Sequence, residues 1–288
     1  MLAQGGHELC IVTRTLPPHP AQQGTRFLSW KHPEWHRAVS DAEGIINLAG
    51  EPLIGKRWSP KQKSLIRESR IETTRGLVDA MAVLARRPAV LLNGSAIGYY
   101  GAHADEELEE DESAGRGFLA EICQAWEAEA QRAETLGVRV VRLRIGVVLG
   151  PGGGALAKMV PPFRCWIGGP LGSGRQWVSW IHQEDVIRLI EWALTHPELS
   201  GAVNATSPQP VMMREFCQTL GHALKRPSWA PVPAVGLRLV LGEMADVLLT
   251  GQRVIPAAAL RLGFTFRFPQ LGPALEACLC RPQKARFG

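Results

Sequence analysis

Long apolar runs are missing from this chain. No stretch of eighteen consecutive apolar residues occurs in its 288 positions, so a membrane-spanning helix is not expected. The amino terminus, MLAQGGHELCIVTRT, has no basic start, no apolar core segment and no small-residue cleavage site. It does not read as a signal peptide. Cysteine is sparse: Cys10, Cys123, Cys165, Cys217, Cys278 and Cys280 form no CxxC, and only the last two are close. We expect reduced thiols in a cytoplasmic compartment and no metal site. Tyrosine is scarcer still, because Tyr99 and Tyr100, adjacent within SAIGYYG, are the only two.

A basic stripe interleaved with aromatic residues is also absent. The net charge is +5, but the lysines and arginines are dispersed, as in Lys56-Arg57, Lys61-Lys63 and Arg139-Arg142-Arg144. Nucleic acid is therefore not an expected partner, and neither is a membrane. A mild basic excess suits attraction of a phosphorylated small molecule. We expect a small-molecule substrate and a monomer or homodimer.

What is present is an alternation of strands and helices. HELCIVTR (7–14) is an apolar, β-branched strand, PPHPAQQG (17–24) a loop and EGIINLAG (43–50) a second strand. The segment 59–84 is helical, with Ser59 as cap and Pro60 in the first position. PAVLLNGSA (88–96) is a strand, 118–137 a helix closed by Gly137, and VRVVRLRIGVVLG (138–150) a strand with its exit. This order predicts an α/β fold with a doubly wound parallel sheet. After Pro151 glycine and proline dominate, apart from a short ALAKMV helix. Helices follow at 182–197 and 213–224, around a short strand at GAVNATSP. From about Pro231 the pattern becomes that of a small α-rich tail, with VGLRLVLGEMADVLL, GFTFRFP and LGPALEACL. The expected division is a domain at 1–230 and a small C-terminal domain at 231–284.

Ligands of doubly wound sheets sit beyond the carboxyl ends of the strands. The first strand is followed by Thr13 and Arg14, and an arginine there suits a ribose 2′-phosphate or is a solvated surface residue. The second is followed by Asn47-Leu48-Ala49-Gly50-Glu51, whose small residues allow a flat ligand to approach or simply make a turn. The third ends at Ser95, which orients a substrate oxygen or belongs to a turn. Beyond the fourth come Arg164, the glycine run 168–174, Arg175 and His182. The two arginines suit an anionic substrate, the glycines tight turns, and His182 either a base or a helix cap. The acidic run DEELEEDES (105–113) reads as a solvated face or the edge of a lid.

Taken together, NLAGEPLIGKRW, SRIETT, NGSAIGYYG, WEAEA, VRLRIGVVLGPGGGAL, PPFRCWIGGPLGSGRQWVSWIH, GQRVIP and GFTFRFP resemble one family. It is the atypical extended short-chain dehydrogenases, within them the epimerase-family proteins of the YfcH type, and the likeness runs from about Leu2 to Leu279. The resemblance implies a Rossmann-like domain, NADP(H) as cofactor and a small C-terminal domain of unknown role. Carried over by position, Thr13 and Arg14 contact the 2′-phosphate, Leu48 and Ala49 the adenine–ribose side and the cleft, and Arg70 and Val147 complete the set. From their own setting among glycine loops, and not from the resemblance, Arg164 and Arg175 are expected to hold an anionic substrate. The implied function is that of an NADP-binding oxidoreductase or epimerase. The alternative is a non-catalytic NADPH-sensing or regulatory protein, as some relatives are linked to cell or plastid division.

Two departures from that pattern stand out. The family's opening strand and GGTGxxG-like turn, which cradles a pyrophosphate on backbone N–H groups, have no counterpart here. A sheet without that central strand is expected to be marginal, with two unpaired strand edges, and we expect Met1 to be a misassigned start. Second, the usual tyrosine with a lysine four residues on is absent: counted from Glu127, those positions hold Leu119 and Cys123. Ser95 is then expected to orient the substrate oxygen, with Tyr100, Tyr99 or His182 as a substitute acid. Tyr100 itself reads better as a packing or pocket-wall residue than as the proton donor.

Overall fold

The computed structural model describes residues 2–18, 21 and 23–280. Met1, part of the 17–24 loop and the last positions of the 231–284 division lie outside the described residues. In chain order the elements are β1 (Leu9–Thr13), β2 (Thr25–Ser29), α1 (Glu34–Asp41), β3 (Gly44–Asn47), α2 (Pro60–Ala82), β4 (Val90–Ala96), β5 (Glu107–Leu108) and α3 (Phe118–Gln131). They continue with β6 (Arg139–Ile145), β7 (Val147–Leu149), α4 (Gly154–Arg164), β8 (Trp177–Val178), β9 (Trp180–His182), α5 (Gln183–Thr195) and β10 (Gly201–Ala205). The last are β11 (Val211–Met212), α6 (Met213–Leu224), α7 (Ala234–Leu241), α8 (Met244–Leu249), β12 (Arg253–Val254), α9 (Ala257–Arg261) and α10 (Leu271–Cys280).

The central sheet is parallel, in the order β3-β4-β6-β10. Side chains alternate across it, as strand geometry demands. Leu91 and Val140 face Trp35 of α1, Leu77 and Met81 of α2, and Ala130 of α3. Leu92, Val141 and Leu143 face Val186, Leu189 and Ile190 of α5, together with Phe264 and Phe266. With both faces covered, the fold is Rossmann-like. A third apolar cluster joins α4, α6 and α10 through Phe163, Phe216 and Leu275. The C-terminal stretch thus contributes to the same cores as the sheet and its helices.

β1 and β2 form a separate parallel pair, so β1 and β3 each have one edge without a ladder partner among the described residues. β2 and α1 were not anticipated from the sequence. An eight-residue helix is too short to announce itself by period. Tertiary contact holds it: Trp35 is buried and stacks on Trp30 with ring centroids 4.3 Å apart. By contrast α2 follows its local signals, since the Ser59 hydroxyl accepts from the Gln62 N–H at 3.2 Å and Pro60 occupies the first turn. The single strand expected at 138–150 breaks at Gly146 into β6 in the central sheet and β7 paired with β9.

Candidate functional site

The site is built where β1, β3, β4 and β6 end. Asn47, the last residue of β3, is buried, and its carboxamide donates to Thr74 Oγ1 at 2.8 Å and to Asn93 Oδ1 at 2.7 Å. Its own Oδ1 accepts from the Ala49 N–H at 3.2 Å. This bond fixes the start of the loop carrying Leu48 and Ala49, both of which remain exposed. The Arg70 guanidinium, half-buried on α2, donates at 3.0 Å to the carbonyls of both Glu51 and Ile66. It lies so close to Gly50 that a β-carbon there would meet it at 2.9 Å. Burial pushes the pKa of Arg70 down. Arg70 therefore shapes this loop through backbone contacts.

Across the loop stands the end of β1. Thr13 Oγ1 donates to its own turn at the Thr15 carbonyl, 3.1 Å away. Arg14 reaches Glu51 Oε2 at 3.4 Å through both terminal nitrogens. The structure thus brings Arg14, Ala49, Glu51 and Arg70 to one place from segments far apart in sequence.

At the end of β4 lies a buried polar network. Ser95 Oγ donates to Glu127 Oε1 at 2.7 Å. Glu127 also receives Arg144 Nε at 2.9 Å, Arg144 Nη2 at 3.0 Å and Arg142 Nη1 at 3.1 Å. Arg144 Nη1 continues to the Tyr100 hydroxyl and to the Glu110 carbonyl, each at 3.0 Å. Its guanidinium stacks over the Tyr99 ring at 3.4 Å. Burial opposes the charge on Arg144, yet the hydrogen bond and charge of Glu127 outweigh it and raise its pKa.

Tyr100 has no exposed surface, and its hydroxyl donates to Asn204 Oδ1 at 2.7 Å. Burial pushes it up to about 12 from the ordinary 10, against the pull of Arg144. This placement corrects Tyr100 as a substitute acid: its proton is committed inside the network and held tightly. A raised value means that its stabilising contribution is complete below pH 10 and is lost as pH climbs towards 12. Thermal unfolding followed over that interval should show a drop in midpoint that the Tyr100→Phe variant largely lacks.

The helix that carries the usual acid pair is α3. Here Leu119 and Cys123 face Gly98, whose β-carbon would lie 3.2 Å and 4.0 Å from them. Burial raises the Cys123 thiol to about 11, so it stays protonated at neutral pH. Neither side chain delivers a proton as a tyrosine–lysine pair does.

His182 is buried and caps α5, with Nδ1 accepting from the Glu184 N–H at 3.2 Å and its ring against Phe268 at 4.0 Å. Of its two readings, the structure realises the helix cap. Val147 opens β7 and is half-buried beside Trp180. Arg164 ends α4 and Arg175 follows the glycine turn, and both are exposed. The glycine run is correspondingly a packing device. A β-carbon at Gly169 would meet the Ala230 carbonyl at 2.2 Å, and the Gly168 carbonyl accepts from the N–H groups of Trp229 and Ala230 at 3.0 and 3.1 Å. The structure thus places this run against the entry of the C-terminal stretch.

The acidic run is likewise a seam. β5 pairs with β12, and Glu110 accepts from the N–H groups of Asn204 and Ala258, both at 3.0 Å. Burial raises the Glu110 carboxyl above the usual range. Glu110, Glu127 and Asn204 escaped sequence reasoning as members of the network. The only local signal was an acid within the apolar face of ICQAWEAEA, where a lone charge requires a partner.

The parallel sheet covered by helices on both faces defines a Rossmann-like α/β protein. A family model described as NAD dependent epimerase/dehydratase family matches residues 1–205, and one described as a domain of unknown function (DUF1731) matches residues 232–278. The chain belongs to the NAD dependent epimerase/dehydratase family. It is 43% identical over 284 residues to the chloroplastic epimerase family protein SDR39U1 homolog of Arabidopsis thaliana, covering 96% of this chain and 81% of that one. It is 44% identical over 246 residues to the epimerase family protein Mb2239 of Mycobacterium bovis, covering 85% and 81%. The crystal structure of human epimerase family protein SDR39U1 with NADPH superposes with a TM-score of 0.87 at 34% identity, covering 96% of this chain and 92% of that one. No described helix is long and apolar enough to cross a membrane. Among the described residues no group of three or more His, Cys, Asp or Glu is placed to hold a metal ion.

Proposed function

We propose that this chain binds NADP(H) and acts as an oxidoreductase or epimerase on a small molecule. The observation that carries this reading is Arg14, an exposed guanidinium at the end of β1 set against the loop that Asn47 and Arg70 fix. Such a donor set fits a phosphorylated ribose, because an exposed arginine fork meets a phosphate with charge-assisted bonds. The NADPH of the human relative supports the same reading. A bound nicotinamide would supply or accept a hydride. Ser95, at the end of β4, donates its own proton to Glu127 and keeps only acceptor capacity, so it would orient a substrate hydroxyl and not a carbonyl. Proton delivery would not use a tyrosine–lysine pair, since Leu119 and Cys123 occupy those positions and Tyr100 is engaged with Asn204.

Titration calorimetry tests the binding. Arg14→Ala should weaken NADPH by about tenfold or more, the size of a lost charged hydrogen bond, and leave NADH unchanged. Equal losses for both dinucleotides would contradict a 2′-phosphate contact. A carbonyl panel with NADPH then separates turnover from binding alone, and binding without oxidation would replace the enzymatic reading by a regulatory one.

A further inference from the structure

Two cations converge on one carboxylate beside the end of β1. Arg14 meets Glu51 Oε2 at 3.4 Å, and Lys56 Nζ meets Oε1 of the same group at 3.2 Å. The three side chains differ sharply in exposure: Arg14 is 74% and Lys56 68% exposed, whereas Glu51 is only 12%. The Glu51 backbone is held in place, its N–H donating to Ser69 Oγ at 2.8 Å and its carbonyl accepting from Arg70 at 3.0 Å. The acid is therefore a fixed inner group, and both cations stand over it on the solvent side.

We infer that Lys56 is the second cation of a phosphate clamp whose first is Arg14, and that Glu51 is the clamp's internal competitor. The inference rests on the proposed binding of NADP(H) and adds the residues that discriminate for the 2′-phosphate. Two cations against one carboxylate leave one net positive charge. A phosphate monoester carries about 1.5 to 2 negative charges at neutral pH and three acceptor oxygens. It offers each cation more than half of a shared carboxylate does. Arginine meets it as a planar fork and lysine as a point charge. A ligand without the phosphate offers nothing to displace Glu51, so both cations remain occupied. Preference for the phosphorylated ribose then arises from Lys56 and Arg14 together, with Glu51 setting how strong an anion must be to enter.

The test measures binding to the full chain. Wild type, Lys56→Gln and Glu51→Gln are titrated with NADPH, NADH, adenosine 2′,5′-bisphosphate and adenosine 5′-monophosphate. The two short nucleotides read the clamp without its dependence on a pyrophosphate contact. Lys56 is an exposed loop residue, and circular dichroism confirms that each variant is folded. Lys56→Gln should weaken the two 2′-phosphorylated ligands about tenfold, and Glu51→Gln should tighten them several-fold, with NADH and adenosine 5′-monophosphate unchanged in both. A Lys56→Gln variant with unaltered preference overturns the inference, as does a Glu51→Gln variant that binds the 2′-phosphorylated ligands no better than wild type. Failure of all four ligands to bind wild type would instead overturn the underlying NADP(H) reading.

Discussion

Replacing Glu127 by alanine should lower the stability of the fold by about 3–5 kcal/mol, the cost of leaving a buried charge without its partner. The side chains of Glu127 and Arg144 are each 3% exposed, and among the described residues the carboxylate is Arg144's only ion-pair partner. Removing it leaves a guanidinium that water cannot reach, and also orphans Arg142 and the Ser95 hydroxyl. A guanidinium keeps its proton across the ordinary pH range, so the cation does not neutralise itself to escape the penalty. Urea unfolding, read as a change in midpoint at constant slope, measures the loss. A double variant, Glu127→Leu with Arg144→Met, separates charge from packing. It should recover part of the stability, because an apolar pair of similar volume avoids the desolvation cost. Recovery stays partial, since Arg144 also ties Tyr100 and the Glu110 carbonyl to the sheet. An alanine variant within about 1 kcal/mol of wild type would show that water or a rearranged neighbour compensates the buried charge.

Gly146→Ala is the second large expected loss, roughly 3 kcal/mol from overpacking. Its β-carbon would sit 2.4 Å from the Ser179 carbonyl oxygen and 3.0 Å from Thr206 Cγ2. Backbone cannot move aside as a flexible side chain does. The Gly146 N–H donates to the Ala205 carbonyl at 3.1 Å, and the Val147 N–H to the Ser179 carbonyl at 2.8 Å, so the chain is pinned on both sides. Any shift that relieves the clash moves Val147 and loosens Ser179, whose hydroxyl bonds both the Gln252 carbonyl and the Val254 N–H. Under the proposed NADP(H) binding, in which Val147 is a cofactor contact, nucleotide affinity should fall together with stability. Gly236, in exposed α7, is the matched control: nothing lies within 4 Å of its β-carbon, and alanine there should add up to about 1 kcal/mol. Chemical denaturation of the two variants side by side would expose a wrong packing argument as equal effects.

Several parts of this molecule were legible before any coordinates. The apolar runs of β1, β3 and β4 and the capped start of α2 are written in neighbouring residues. The separation of the β1–β2 pair from the central sheet is set by tertiary pairing. β2 and α1 were silent because each is short and gains its order from contacts such as Trp30 on Trp35. The strand at 138–150 looked continuous, because the obstruction at Gly146 is a carbonyl 33 positions further along the chain.

For the candidate site the division is sharper. Arg14, Leu48, Ala49 and Ser95 were locatable because strand ends can be read from hydrophobic pattern, and ligands gather at strand ends. What each side chain does there depended on partners far away in sequence. Arg14 and Glu51 are separated by 37 positions, Ser95 and Glu127 by 32, and Tyr100 and Asn204 by 104. The sequence by itself determined the α/β class, the family and the absence of the tyrosine–lysine pair, because these reside in local composition and spacing. Only the tertiary structure decided that Tyr100 is a structural group, that His182 is a cap, and that Glu127 anchors a buried cationic network. Burial and hydrogen-bond partnership are properties of neighbours in space, and folding alone determines which residues become neighbours.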